Sequence, residues 1–290
     1  MESSYAEERK KLYQAIIEDP TGIRSQEWYT KNAELYEQQH KNHDFMYHKE
    51  CMEIFKKTVS QKDCKVIDFA MGTGVMGEML RKMASKQQTG PREHKDRRRE
   101  APKTPLSISA RSNEDAGRSR RQRHLLLLSS SKEGNVRKSF SKKSLTRQLR
   151  NEGYTGQLDG MDRNPSMLKF AKAKGIYTNI WTVDIGPEKI KEIDDDSYDN
   201  GVVAGSVGRG QVEFNSLSTM IRAIKTGGYL FITMSQFHTQ YEEFTIKALE
   251  NLCDKWNAEG LCHLVQCVEG MHTSTAGGYV FVLRRGSKEQ

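Results

Sequence analysis

The chain has 290 residues, 36% of them hydrophobic and 29% charged, with a formal net charge of +8. That is ample for one large domain with a sizeable core. No apolar run approaches the roughly 18 residues that a membrane span needs, and the N-terminus MESSYAEERK lacks the basic-then-apolar order of a secretory signal. Five cysteines, Cys51, Cys64, Cys253, Cys262 and Cys267, form no C-x-x-C pair, so neither a disulfide framework nor a zinc knuckle is expected. A reducing cytoplasmic or nuclear compartment fits.

The positive charge is not spread evenly. Residues 85–150 hold 19 Lys or Arg against 6 Asp or Glu, so the remaining 224 residues are net acidic by 5 charges. This basic stretch also carries eleven serines, three of the six prolines and a single aromatic, Phe140. Such a composition buries too little apolar surface to offset the entropy of ordering it, and a disordered insertion is expected, with a short helix near residues 144–150.

Outside the insertion, β-branched or aromatic runs alternate with amphipathic ones, the pattern of a parallel α/β sheet with helices on both faces. An N-terminal helical extension is expected over residues 1–25, followed by a helical stretch on which His40, His43 and His48 face solvent. A first strand is expected at residues 65–70 (KVIDFA) and a second at 157–162 (QLDGMD). Asn164 and Pro165 then supply an N-cap and a first helical position, and Gly175 the stop. Further strands are expected at 180–184, 199–204, 228–234, 263–268 and 278–283, with helices at 217–225 and 241–258. Cys253 and Trp256 lie on the core face of the last helix. The expected domain spans residues 26–284, interrupted at 85–150, with a tail at 285–290.

The most informative stretch is VIDFAMGTGVMG, residues 66–77, an apolar strand entering a glycine-rich turn that opens a helix. Gly72 and Gly74 allow positive φ and close ligand approach, and the helix start beyond them offers free N–H groups. A nucleotide-type ligand is implied. Folds of this type place an acid about 20 residues past the glycines, at the end of the second strand, to bind ribose hydroxyls. Asp162 stands 88 residues past Gly74, but removing the 66-residue insertion leaves 22. Composition and spacing thus agree on the extent of the insertion. Asp159 is the competing acid, placed inside the strand.

These residues resemble a class I S-adenosylmethionine (SAM) methyltransferase. The matching stretches are residues 66–74, 160–168 (GMDRNPSML), Val183 with Asp184, 198–203 (YDNGVV) and 225–230 (KTGGYL). Residues 28–36, 174–177 and 207–212 narrow the resemblance to one subfamily. It covers roughly residues 26–84 and 151–270 and implies a Rossmann-like seven-stranded sheet. It also implies that Asp68 orders the glycine turn and that Gly72, Thr73 and Gly74 line the methionine half of SAM. Asp162 would accept the ribose hydroxyls, Arg163 and Met167 would flank the adenine, Asp184 and Ile185 would meet its edge, and Tyr29 and Tyr36 would close over the cofactor. Ala70 departs from the glycine that many members carry, a cost if that position needs positive φ.

SAM is an activated methyl donor, so alignment of the acceptor matters more than a general base, and a missing triad does not argue against an enzyme. The implied activity is methyl transfer to a small molecule or a protein side chain. Ser206 and His238 are the candidate catalytic residues, His238 being otherwise a solvated loop histidine. The stretch GSVGR, residues 205–209, lacks the Asn/Asp-Pro-Pro-Tyr pattern of enzymes that methylate exocyclic base nitrogens. No metal-ligand spacing occurs. Two alternatives are a catalytically silent protein of the same fold that binds RNA or a protein partner through residues 85–150, and a dehydrogenase.

Overall fold

The structure, a computed structural model, describes residues 14–16, 18–41, 45–85, 153–274 and 276–286. The basic insertion beyond Ser85, with the helix expected at 144–150, and most of the N-terminal extension and C-terminal tail lie outside these residues.

In chain order the elements are α1 (Ile23–Lys41), α2 (Tyr47–Thr58), β1 (Val66–Phe69), α3 (Val75–Ser85), β2 (Leu158–Asp162), α4 (Pro165–Ala173), β3 (Ile180–Thr182), β4 (Tyr198–Val207), α5 (Leu217–Arg222), β5 (Ile224–Ser235), α6 (Ile246–Ala258), β6 (Cys262–Met271) and β7 (Gly277–Arg285). The strands form one sheet in the order β3-β2-β1-β4-β5-β7-β6. Strands β1 to β5 run parallel, and β7 is antiparallel to both β5 and β6. The sheet is therefore mixed, not wholly parallel. The cause is local: β6 and β7 are joined by a short turn, which can link only antiparallel strands.

Each expected strand has a counterpart. The helix expected at 217–225 ends at Arg222, because Ile224 already belongs to β5. The helix expected to open at Tyr241 instead opens at Ile246, where the Thr245 side chain accepts the Ala248 N–H and a short 3-10 turn precedes it. Asn164 caps α4 by accepting the N–H groups of Ser166 and Met167, with Pro165 first in the helix.

Helices cover both faces of the sheet. Leu217, Met220 and Ile221 of α5 and Leu249, Cys253 and Trp256 of α6 pack on one face with Phe69, Val203 and Leu230. On the other, Cys51, Met52 and Phe55 of α2 and Met76 and Leu80 of α3 pack on Val66, Val202, Phe231 and Val282. All five cysteines are free, four of them buried and Cys267 exposed. Among the described residues no helix is long and apolar enough to cross a membrane, and no cluster of His, Cys, Asp or Glu has the geometry of a metal site.

Candidate ligand cleft at the strand ends

Parallel strands leave their carboxyl ends on one edge of the sheet, and the crevice there is where open α/β folds bind ligands. A cleft lies at this edge. It is lined by Ala70 and Gly72 after β1, Asp162 to Asn164 after β2, Val183 to Ile185 after β3 and Ala204 to Ser206 on β4. Ser25, Gln26, Tyr29 and Tyr36 of α1 supply the roof. A second, more open cleft shares Gln26, Arg163 and Asp184 with it.

The turn after β1 bends sharply, with φ of +55° at Gly72 and +79° at Gly74. Ala70 has φ of +48°, so it occupies the left-handed region that its methyl group disfavours. Asp68, just before the turn, is buried, and Tyr177 donates its hydroxyl to the Asp68 carboxylate at 2.7 Å. Burial pushes the Asp68 carboxyl up to about 7 despite this bond and support from the Gly77 amide. The Tyr177 ring fills the space where Cβ atoms at Gly74, Gly77 and Gly160 would stand. Those glycines make room for a tyrosine that props the turn from below.

Asp162, at the end of β2, accepts the Gly72 N–H at 2.8 Å through one oxygen and the Asn164 N–H at 2.8 Å through the other. Burial nevertheless shifts its pKa upward. A carboxylate has about four lone-pair sites, so two remain for ligand hydroxyls. Asp159 is sealed in the core, where it accepts from Tyr198, Gln157 and Asn179. Its hydrogen bonds assign it to the scaffold.

The helix α1 is kinked at Asn32 (φ −119°, ψ 20°) and held at several points. Asn164 donates to the Thr30 hydroxyl at 3.0 Å, and Arg163 donates to the carbonyls of Gly210 at 3.2 Å and Gly22 at 3.4 Å. Lys174 reaches Glu37 of α1 at 2.9 Å and Glu78 of α3 at 3.1 Å, both within a largely buried triad. Arg163 also pairs with the exposed Asp184 at 3.6 Å.

Tyr29, Tyr36, Gly72, Asp162, Arg163, Met167, Asp184, Ile185 and Ser206 all line the cleft. Asp68, Thr73, Gly74 and His238 are not among the residues that line it. His238 is 2% exposed, a correction to its reading as a solvated loop histidine: its Nδ1 accepts the Arg209 N–H at 3.2 Å, and its ring fills the space above Gly208. His48 on α2 is likewise buried, not solvent-facing, because α2 packs it against Tyr47. Sequence reasoning missed Tyr47, Tyr177 and His272. The only local trace of Tyr177 is the set of glycines it packs against.

No family model matches the chain. It is 29% identical over 116 residues to methyltransferase-like protein 27 of Homo sapiens, a match that covers 39% of this chain and 44% of that protein. The chain thus spans less than half the length of the curated relative it matches. Among solved structures it is similar to a TehB-like SAM-dependent methyltransferase from Corynebacterium glutamicum, with TM-score 0.48, 13% identity and coverage of 88% of this chain and 98% of that one. It is also similar to a SAM-dependent methyltransferase from Aquifex aeolicus, with TM-score 0.45, 11% identity and coverage of 88% and 98%. With its sheet order and glycine turn, the partial match makes this chain similar to the class I SAM-dependent methyltransferases.

Proposed function

We propose that the chain binds SAM in this cleft and transfers its methyl group to a small molecule or a protein side chain. The observation that carries the reading is Asp162. It is a buried carboxylate at the end of β2, already fixed by two backbone N–H groups, and it retains acceptor capacity toward the cleft. A ribose presents a pair of hydroxyl donors that suits it. The residues present also fit the rest of the ligand. Ser25 on the roof is 1% exposed, and its buried Oγ lacks a hydrogen-bond partner beside the cleft.

When bound, SAM supplies a methyl group activated by a sulfonium. In our reading Asp162 binds the ribose hydroxyls, Arg163 and Met167 flank the adenine, and Asp184 with Ile185 meets its edge. The backbone of Gly72 meets the methionine half, and Thr73 and Gly74 carry the turn behind it. Asp68 and Tyr177 keep that backbone bent, while Tyr29 and Tyr36 exclude water from above. The carboxylates and ring edges position; nothing in this set needs to move a proton.

Calorimetric titration of SAM and S-adenosylhomocysteine into the full chain tests this. Saturable binding is expected, weakened at least thirtyfold in Asp162→Ala, on the order of 2 kcal/mol for lost charge-assisted hydrogen bonds. No binding by a chain whose circular dichroism shows it folded overturns the reading.

A further inference from the structure

Over Gly205 and Ser206 the cleft changes character. Its lining there is Tyr36, Ala70, Gly72, Ala204, Gly205 and Ser206, which carry no charge. Behind them stands a cluster of rings. Tyr47 lies over Gly205, where a Cβ would collide with it, and its hydroxyl is 3.1 Å from that of Tyr36. Phe45 packs 5.7 Å from both Tyr36 and Tyr47, and the His272 ring stacks on Tyr47 at 4.4 Å and 18°. The His272 carbonyl accepts the N–H groups of Met46 and Tyr47, which fastens the start of α2 to the β6–β7 turn. His238 lies close enough to His272 to affect its protonation.

The surrounding charges are engaged elsewhere. Arg209 sits 4.4 Å above the Tyr241 ring and 3.9 Å from Glu243, and Glu50 of α2 accepts the Met271 N–H. Asp68 is held behind Tyr177. Burial pushes His238 down to about 4 and His272 to about 3, so both rings are neutral at physiological pH. An imidazole held near 4 is roughly a millionfold too weak to take a proton from a phenol of ordinary pKa about 10. A hydroxyl acceptor would therefore find no base here. Burial acts the opposite way on an amine or an aromatic nitrogen: it favours the uncharged form, whose lone pair is the nucleophile. The Ser206 Oγ is buried without a partner and is available to accept an N–H.

We propose that this end of the cleft is the methyl-acceptor site, and that its acceptor is an uncharged aromatic nitrogen compound seated against Tyr36, which Tyr47 backs, with its N–H on Ser206. The proposal rests on the methyltransferase reading. In the transfer the nitrogen lone pair forms the new N–C bond, and the C–S bond breaks with its electron pair going to sulfur. The displaced N–H proton leaves to water.

The test uses the full chain saturated with S-adenosylhomocysteine. Benzimidazole and aniline are titrated calorimetrically against benzoate and benzylammonium at pH 7.5. The two uncharged nitrogen compounds should bind at least tenfold more tightly than either ion. Ser206→Val and Tyr47→Leu should each weaken benzimidazole binding at least tenfold while changing S-adenosylhomocysteine affinity less than threefold. With tritiated SAM, label should appear on nitrogen and none on phenol given as the alternative acceptor. Equal binding of an ion, benzimidazole binding indifferent to Ser206→Val, no transfer to either nitrogen compound, or label on the phenol oxygen each overturns the proposal. Failure of S-adenosylhomocysteine to bind the folded chain instead sinks the parent reading, and this one with it.

Discussion

The two ends of one cleft are built on opposite principles. At the Asp162 end, polar groups are held by directed hydrogen bonds and ion pairs: Gly72 and Asn164 on Asp162, Asp184 on Arg163, the capping side chain of Asn164 on α1. At the Ser206 end, rings from α1, α2, the 3-10 turn after β5 and the end of β6 are packed until their imidazoles lose charge. One end presents groups that recognise a ligand by its donors. The other presents a neutral surface on which a reactive atom can keep its lone pair.

Acid should attack the neutral end first. The imidazoles of His238 and His272 have folded pKa values far below the ordinary value near 6.5. Their contribution to stability is complete above pH 6.5 and is lost as pH falls toward 4 and 3, because the unfolded chain takes up protons that the folded one refuses. Each group costs about 1.4 kcal/mol per pH unit well below 6.5, so the pair costs about 3 kcal/mol between pH 6.5 and 5. Asp68, raised to about 7, has the opposite sign: its stability is present below pH 4 and is lost as pH rises to 7, and Asp162 is shifted the same way. Urea unfolding at pH 6.5 and 5.0 should show a net loss of about 2 kcal/mol or less in the native chain, since the Asp68 slope offsets half of the pair's. That loss should grow to about 3 kcal/mol in Asp68→Asn and vanish in His238→Phe. A native chain that gains stability at pH 5 would mean that the imidazoles are not held neutral.

The polar end should break at its roof. Lys174 is the shared cation for Glu37 on α1 and Glu78 on α3. Lys174→Met takes the cation from the largely buried Glu37, and removing one member of such a network typically costs about 3 kcal/mol. Amide exchange along the second half of α1, past the kink at Asn32, should accelerate more than exchange in β4 or β5. A loss under about 1 kcal/mol would place the triad with ordinary surface ion pairs.

The contrast also separates what could be read in the sequence from what could not. The Asp162 end was legible because its signals are local: the strand and glycine turn at residues 66–77, the cap and proline at 164 and 165, and the acid at a fixed distance once the basic segment is set aside. The Ser206 end was not. Tyr47, His238 and His272 are far apart along the chain, and their meeting depends on the antiparallel return of β7, which brings the end of β6 over the start of α2. His238 reads as a loop histidine because nothing near it in sequence shows that Gly208 leaves room for its ring. Tyr177 escaped for the same reason, since the three glycines that accommodate it lie on three different elements.

The smallest test concerns the hinge between strand and cleft. Ala70 holds φ of +48° where the turn leaves β1, and its methyl packs against the core beside the cleft. In the left-handed region an alanine costs about 1–2 kcal/mol relative to its usual conformations. A glycine removes that strain but returns about 0.5–1 kcal/mol through greater freedom of the unfolded chain, and it also loses the methyl contact. Ala70→Gly should therefore stabilise by no more than about 1 kcal/mol, a rise in melting temperature of about 1–3 °C for a domain of this size. A fall instead would mean that methyl packing outweighs backbone strain. The turn would then be shaped by the core beneath it, and the Ser206 end, which rests on the same core, would set the geometry of both halves of the cleft.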